Sequence, residues 1–172
     1  MDLDLKLASK EINEILWREH KTLATAESCT AGRIASVITA VPGSSNYYKG
    51  GIICYADETK IEHLKVDAAV IEENTAVCEE VVKQMVVGAI DMFKSDYAIS
   101  ISGYAGPGGT DNPKSSVIVG TIWIAVGNKD EIVTLKIEED NGRERNLTSA
   151  TSKAVHTLCE FLKKTTTSET EE

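Results

Sequence analysis

Apolar residues recur every three or four positions in several stretches of the chain, which is the spacing of an amphipathic helix. The first such stretch covers residues 3–19, and another covers residues 77–93. A short helix is also expected from Asp57 to about Leu64. A further helix contains Ile34, and the last predicted helix extends through Phe161. We interpret the apolar residues of these helices as packing residues of the hydrophobic core.

Shorter apolar runs between the helices, bounded by glycine and polar residues, predict buried strands. The expected strands lie at the start of the segment 22–33 and at residues 50–55, 97–102, 117–126 and 131–137. The last two are joined by Gly127-Asn-Lys-Asp130, which indicates an antiparallel hairpin. Strands that alternate with helices, together with one hairpin, predict a three-layer α/β/α single domain with a mixed β-sheet.

Length and hydrophobic content limit the possible classes of protein. With 172 residues and a hydrophobic content of 42%, the chain suits one folded domain, which we place at residues 1–164. The polar residues 165–172 predict a disordered tail. No apolar run reaches the length of about 18 residues that a membrane span requires, so we expect no membrane partner.

The net charge, the first residues of the chain, and its cysteines and histidines further limit the expected partners, location and metal sites. The formal net charge of −9 argues against a nucleic-acid partner, because binding of phosphates depends on clustered lysine and arginine. The chain begins Met1-Asp-Leu-Asp, without a basic or apolar leader, and we therefore expect a cytoplasmic protein. The cysteines and histidines show no metal-ligand spacing, so the sequence predicts reduced thiols and no metal site.

Ser28 occupies the predicted junction between the first strand and the second helix, within Thr22-Leu-Ala-Thr-Ala-Glu-Ser-Cys-Thr-Ala-Gly-Arg33. A serine hydroxyl at such a junction can cap the helix by accepting a hydrogen bond from a backbone N–H group. It can also face a pocket, where free N–H groups and the positive end of the helix dipole converge. Both alternatives use the same backbone geometry, and the junction alone leaves them open.

Lys60 lies in the first turn of the helix predicted from Asp57, where the positive end of the helix dipole repels a cation. One interpretation is a solvated surface lysine, which is the commonest fate of this residue type. The alternative is that this repulsion and burial together favour the neutral amine, which can then act as a base. The sequence alone does not choose between them.

A glycine-rich loop follows the third predicted strand, with four glycines and a proline in Gly103-Tyr-Ala-Gly-Pro-Gly-Gly-Thr110. Such a loop can bring backbone N–H groups onto an anion such as phosphate. It can also be a flexible surface turn, since glycine patterns alone are weak evidence.

Several short motifs follow one another at fixed spacings. They are Ala26-Glu-Ser-Cys-Thr30, Pro42-Gly-Ser-Ser45, Gly50-Gly51 followed by Tyr55 and Lys60, the loop Ser102-Gly-Tyr-Ala-Gly-Pro-Gly-Gly109, Gly120-Thr121 and Arg143. In this order they resemble the C-terminal domain of CinA-type proteins, whose stand-alone members are nicotinamide-nucleotide amidases. The resemblance covers about residues 5–162, which is nearly the whole chain.

The resemblance implies hydrolysis of the carboxamide of nicotinamide mononucleotide to nicotinate mononucleotide and ammonia, without a cofactor or metal. Ser28 matches the nucleophile and Lys60 the base, so that a neutral Lys60 takes the proton of the Ser28 hydroxyl. The N–H groups near Cys29 and Thr30 are candidates for holding the oxyanion. Tyr55 is a candidate positioning residue beside them.

The nucleotide phosphate calls for backbone N–H groups and a two-donor arginine contact. The candidates for this role are Gly106, Gly108, Gly109, Arg143 and Arg145. The expected partner is therefore a small-molecule nucleotide. We also expect the protein to form a homo-oligomer.

Three positions depart from the usual pattern of the family. Ala31 stands where a glycine is usual, Ala56-Asp57 replaces a more typical Ser-Asn pair, and Leu147 occupies the place of a second arginine. Asp57 adds a negative charge three residues before Lys60. These departures motivate an alternative from another class, which is a paralogue that binds pyridine nucleotides without turning them over.

Overall fold

The computed structural model of the chain describes residues 2–108 and 116–168, in which strands alternate with helices. The strands are β1 (Leu23–Glu27), β2 (Tyr48–Ile53), β3 (Tyr97–Gly103), β4 (Thr121–Gly127) and β5 (Ile132–Glu138). The helices are α1 (Leu3–Arg18), α2 (Arg33–Thr39), α3 (Asp57–Leu64), α4 (Ala68–Asn74), α5 (Glu79–Phe93) and α6 (Arg143–Ser168), with a 3₁₀ turn at Ser44–Asn46.

Helix α4 is absent from the sequence prediction. Its seven residues are too few to display a helical repeat of apolar positions. The signal that the sequence does carry is Asp67, whose carboxylate accepts a hydrogen bond from the N–H of Ala69 at 2.9 Å. This cap stabilises the first turn of the helix.

The last helix is longer than the sequence predicts. Helix α6 continues to Ser168, so the predicted start of a disordered tail at residue 165 is too early. The hydroxyl of Thr165 donates to the carbonyl oxygen of Phe161 at 3.1 Å, and that of Thr166 donates to Leu162 at 2.8 Å. These bonds satisfy the polar side chains within the helix, while residues 169–172 lie outside the described part of the chain.

The sheet has the strand order β2-β1-β3-β4-β5 and is mixed, as predicted. Strand β1 pairs in parallel with both β2 and β3, while β4 pairs antiparallel with β3 and with β5. The predicted hairpin is therefore confirmed. Strand β4 starts at Thr121 and not at residue 117, because Gly120 turns the chain with a φ of 88°.

Each face of the sheet is covered by a different set of helices, which confirms the three layers. Large apolar residues on one face pack with α1, α2 and α6; they include Leu23, Ile99, Ile101, Ile122 and Ile124. Small residues on the other face pack with α5 and the end of α3; they are Ala24, Ala26, Ala98 and Ala125. Alanines leave room for a helix to approach the sheet closely. Among the described residues, no helix combines the length and the apolar character needed to cross a membrane.

The topology singles out one edge of the sheet. Because β1, β2 and β3 are parallel, their carboxyl ends meet at the same edge. The chain passes from β1 to β2 on one side and returns to β3 on the other, so the strand order reverses at β1. Ligand sites of open α/β sheets lie outside the carboxyl ends of the strands at such a reversal. The fold therefore directs attention to the residues that follow Glu27, Ile53 and Gly103.

Candidate active site

A cleft of about 250 Å³ opens at this edge of the sheet. The predicted site residues that line it are Ser28, Cys29, Tyr55, Lys60, Gly106, Gly108 and Arg143. The other lining residues are Asp57, Ala76, Val77, Ser102, Gly103, Tyr104 and Ala105. Ala76 and Val77 are absent from the sequence prediction, whereas Asp57 and the segment from Ser102 appear there without an assigned role in the site. The fold thus brings most of the predicted site into one place.

Ser28 is the first residue after β1 and lines the cleft with an exposed fraction of 7%. Its N–H donates to the carbonyl oxygen of Ile101 in β3 at 3.0 Å, which continues the sheet by one residue. Its carbonyl oxygen accepts from the N–H of Ala31 at 3.1 Å, so the chain turns immediately afterwards. The backbone of Ser28 is therefore held on both sides.

The cap of helix α2 is supplied by Glu27 and not by Ser28. The Glu27 side chain is 1% exposed, and its two carboxylate oxygens accept hydrogen bonds from the first turn of the helix. The donors are the N–H groups of Gly32 (3.0 Å), Ile34 (3.1 Å) and Ala35 (2.8 Å), and the hydroxyl of Thr30 (2.6 Å). The Glu27 carboxylate therefore makes the capping hydrogen bonds that were one of the two alternatives for Ser28.

The turn between β1 and α2 has two consecutive residues with positive φ. Ala31 has a φ of 48° and Gly32 a φ of 97°. Glycine adopts this region without strain, whereas the Cβ of an alanine is crowded by the following carbonyl group. The residue that departs from the family pattern at position 31 therefore occupies a conformation that favours glycine.

The backbone N–H groups of this turn fall into two sets. Ser28, Ala31 and Arg33 donate to backbone carbonyl groups. No other described residue accepts a hydrogen bond from the N–H groups of Cys29 and Thr30. These are the donors that the sequence prediction placed at the oxyanion.

The Cys29 thiol lies beside Ser28 but is a poor nucleophile. Burial raises the pKa of this thiol from 9.0 to about 12, and the nearby charges of Lys60 and Arg143 offset only part of the effect. Burial likewise raises the pKa of the Cys54 thiol, to about 11. Both thiols are therefore protonated at neutral pH. Within residues 2–108 and 116–168, no three His, Cys, Asp or Glu side chains are grouped so that they could hold a metal ion.

Lys60 is buried, with an exposed fraction of 1%, although it lies in the first turn of α3. Its Nζ donates to the carbonyl oxygen of Tyr55 at 3.2 Å and lies 3.4 Å from Oδ1 of Asp57. The interpretation of Lys60 as a solvated surface lysine is therefore wrong. The amine lines the same cleft as Ser28.

Helix α6 holds the start of the glycine-rich loop. The guanidinium of Arg143 donates to the carbonyl oxygen of Gly106 at 2.7 Å and to the hydroxyl of Tyr55 at 3.4 Å. The buried amide of Asn146 donates to the carbonyl oxygen of Ala105 at 3.0 Å. The sequence prediction includes Arg143 but not Asn146, whose signal is only its position one helical turn after the arginine. The described part of this loop is thus fixed to the helix.

Three predicted site residues are placed differently. The Thr30 hydroxyl donates to the Glu27 carboxylate, and Thr30 is not among the residues that line the cleft. Arg145 is exposed and does not line the cleft. Gly109 lies outside the described residues.

The sequence model of the CinA C-terminal domain matches residues 5–162. The chain belongs to this family. The nicotinamide-nucleotide amidohydrolase PncC of Escherichia coli K12 is 36% identical to it over 166 residues, which cover 95% of this chain and 99% of that protein. A CinA-like protein of Cytophaga hutchinsonii is 41% identical over 136 residues, which cover 79% of this chain and 32% of that protein. The chain thus spans about a third of that longer relative, and 37% of one from Halothermothrix orenii.

Crystal structures of CinA superfamily proteins share the fold. One from Escherichia coli superposes with a TM-score of 0.87 at 30% identity and covers 94% of this chain and 92% of that chain. One from Enterobacter cloacae gives a TM-score of 0.88 at 25% identity and covers 94% of each chain.

Leu147 is the third departure from the CinA pattern. Its side chain is buried and belongs to the core between α6 and the sheet. A leucine is suited to that environment. Arg143 is accordingly the cation that α6 contributes to the residues lining the cleft.

Proposed function

We propose that this chain hydrolyses the carboxamide of nicotinamide mononucleotide, with Ser28 as nucleophile and Lys60 as base. The observation that carries the proposal is the presence of Ser28, Cys29 and a buried Lys60 in the lining of one cleft, where the strand order reverses. No other described residue accepts a hydrogen bond from the N–H groups of Cys29 and Thr30. The similarity to PncC over 99% of that enzyme supports the substrate class.

In the proposed reaction the Ser28 Oγ attacks the carboxamide carbon while the neutral Lys60 amine takes its proton. The carbonyl oxygen gains a negative charge, which the N–H groups of Cys29 and Thr30 stabilise. Lys60 then passes the proton to the departing amide nitrogen, which leaves as ammonia. Water cleaves the resulting serine ester, giving nicotinate mononucleotide and free Ser28. This product would feed pyridine-nucleotide salvage.

The phosphate of the substrate would bind between the glycine-rich loop and α6. The N–H groups of Gly106 and Gly108 and the guanidinium of Arg143 are candidate donors in the described lining of the cleft. A phosphate oxygen favours such charge-assisted and backbone contacts. The hydroxyl of Tyr55 accepts from the Arg143 guanidinium at 3.4 Å and is a further polar group in the lining of the same cleft.

The test is to incubate the purified protein with nicotinamide mononucleotide and to measure ammonia and nicotinate mononucleotide together. We expect turnover by the wild type and loss of turnover in Ser28→Ala and Lys60→Met. The exposed residues Ser36 and Lys10 provide matched controls, so Ser36→Ala and Lys10→Ala should retain activity. Full activity in a folded Ser28→Ala variant would exclude the serine mechanism.

A second candidate function is a pyridine-nucleotide-binding module. The observation that favours it is the Asp57 carboxylate 3.4 Å from the Lys60 amine, because a charged amine cannot accept a proton. A binding module would show thermal stabilisation by the nucleotide, since a ligand that binds only the folded state raises its stability. Stabilisation without release of ammonia would support the module and refute the amidase.

A further inference from the structure

Glu27 is a buried carboxylate that the proposed reaction does not use, although it immediately precedes the nucleophile. Its side chain is 1% exposed. Burial of a carboxylate is costly unless hydrogen bonds satisfy its oxygens. Here one hydroxyl and three backbone N–H groups donate to it, all of them from the segment that follows Ser28.

The main chain of Glu27 is fixed as firmly as its side chain. Its carbonyl oxygen accepts from the N–H of Cys54 at 2.8 Å, which ties this residue to the end of β2. The next N–H, that of Ser28, donates to Ile101 of β3. Glu27 therefore connects the rigid sheet on one side with the start of α2 on the other.

The hydrogen bonds of Glu27 also decide which N–H groups remain for a substrate. The first turn of a helix has N–H groups without partners, and these attract negative charge. In α2 the carboxylate occupies those of Ile34 and Ala35. Just before the helix, the N–H groups of Cys29 and Thr30 have no acceptor in any other described residue.

We propose that Glu27 is a positioning residue, whose carboxylate fixes the turn that presents Ser28 and the N–H groups of Cys29 and Thr30 to the cleft. It does not touch the substrate. Its contribution to the rate comes from a geometry that exists before the substrate binds. The inference rests on the proposed function for the reaction that it assists, but the reactivity of Ser28 can be measured without that reaction.

Glu27→Gln is the sharpest variant, because it preserves the size of the side chain. A glutamine has one acceptor oxygen, and its amide NH₂ would face backbone N–H donors. We expect kcat for nicotinamide mononucleotide to fall by about tenfold to a hundredfold, as is typical of a small misplacement of reacting groups. KM should change by less than about threefold, because the phosphate contacts are untouched.

The second readout is the rate at which a serine-directed fluorophosphonate labels Ser28, followed by mass spectrometry of the peptide. We expect it to fall by the same factor as kcat. This measurement separates the two proposals. If the wild type labels at Ser28 but does not hydrolyse the nucleotide, and Glu27→Gln labels about tenfold more slowly, the positioning role stands and the amidase proposal fails.

Asp96 provides a matched control for a general loss of stability. Its carboxylate accepts from the N–H and the hydroxyl of Thr22, both at 2.8 Å, next to the start of β1 and thus at the opposite end of this strand from Glu27. Asp96→Asn should lower the stability while leaving kcat and the labelling rate close to wild type. If Glu27→Gln lowers kcat no more than Asp96→Asn does, Glu27 is merely structural and the proposal is overturned.

Thr30→Val decides the case in which Glu27→Gln does not fold. The valine keeps the shape and the N–H of residue 30 but removes the 2.6 Å hydrogen bond to the carboxylate. We expect a fall of about threefold to tenfold in kcat and in labelling, with KM retained. Unchanged kcat and labelling in this variant overturn the proposal, as does a rise in KM at constant kcat.

Discussion

The Nζ of Lys60 lies 3.4 Å from Oδ1 of Asp57, three residues earlier in the first turn of α3. The lysine side chain is 1% exposed and the aspartate side chain 50% exposed, so the pair joins a buried amine to a carboxylate at the rim of the cleft. A nearby negative charge favours an ammonium over an amine, and solvent at the rim weakens this effect. Asp57 is thus placed to influence the availability of Lys60 as a base.

Asp57→Asn should increase the proposed hydrolysis. The substitution removes the carboxylate that lies 3.4 Å from the Lys60 amine, so we expect kcat/KM at neutral pH to rise. The measurement is the hydrolysis of nicotinamide mononucleotide by the variant and the wild type under the same conditions.

Glu58→Gln is the control for Asp57→Asn, because it removes one negative charge from the same helical turn. Glu58 is exposed and does not line the cleft. Its substitution should leave kcat/KM unchanged. An equal rise of kcat/KM in both variants would assign the effect to net charge and contradict the role of the ion pair.

Cys29 should be resistant to alkylation at neutral pH. Since burial raises its pKa to about 12, the thiolate fraction at pH 8 is only about one in ten thousand. We expect the wild type to keep its activity in iodoacetamide under conditions that fully alkylate free cysteine, whereas a serine-directed phosphonate abolishes it. The rate of Cys29 alkylation, measured on its peptide, should rise with pH and not level off before about pH 11.

A plateau of alkylation near pH 8 would contradict the protonated state of this thiol. It would also return Cys29 to consideration as the nucleophile, because the thiolate is the reactive form of a cysteine. The test therefore decides between adjacent residues of the same turn.

Much of the fold can be predicted from hydrophobic spacing. The repeat in α5 and the apolar run of β3 identify those elements to within two residues at each end. The mixed sheet follows from alternating strands and helices that end in a hairpin. Helix α4 is not predicted, because its seven residues are too few to show a periodic pattern of apolar positions. In the sequence, its capping residue Asp67 also looks like any other polar loop residue.

The topology explains why most of the predicted site residues line one cleft, but the local geometry of that cleft can be predicted only partly. Ser28 and Lys60 both follow parallel strands, and such strands end at a common edge. The capping role of Glu27 could not be predicted. A cap is expected at the residue that begins the helix, whereas this carboxylate belongs to the last residue of β1 and accepts from the N–H of Ala35, eight residues later. The burial of Lys60 also depends on contacts between elements that are distant in sequence.

Ala31→Gly should be neutral to moderately stabilising, although most replacements by glycine destabilise. Relief of the strained φ of 48° gains about 1–2 kcal/mol, while the extra freedom of the unfolded chain costs about 0.4–1 kcal/mol. We expect the free energy of unfolding to rise by up to about 1 kcal/mol and Tm by a few degrees. Chemical denaturation and calorimetry would measure both.

Ala40→Gly is the matched control for this prediction, because Ala40 has an ordinary helical φ of −67° at the end of α2. It should lower the stability by about 0.5–1 kcal/mol. A similar loss in Ala31→Gly would show that residue 31 does not occupy the left-handed region in solution.

Arg143→Ala should weaken the discrimination between nicotinamide mononucleotide and the riboside that lacks the phosphate. The guanidinium, anchored on the carbonyl oxygen of Gly106 at 2.7 Å, presents its remaining donors beside the loop. A hydrogen bond to a charged group contributes about 1.5–3 kcal/mol, so the ratio of kcat/KM for the two substrates should fall at least about tenfold. Arg143→Lys keeps the charge but lacks the planar pair of donors, and should give an intermediate ratio.

Comparing kcat/KM for the nucleotide and the riboside separates a phosphate contact from a role in holding the loop. If Arg143 only anchors Gly106, both substrates lose rate equally and the ratio stays constant. Arg18→Ala, an exposed substitution on α1, controls for the loss of one positive charge and should leave the ratio unchanged. Equal handling of both substrates by the wild type would refute a phosphate site. A ratio lost in Arg145→Ala but retained in Arg143→Ala would transfer the contact to Arg145, which the structure places outside the cleft lining.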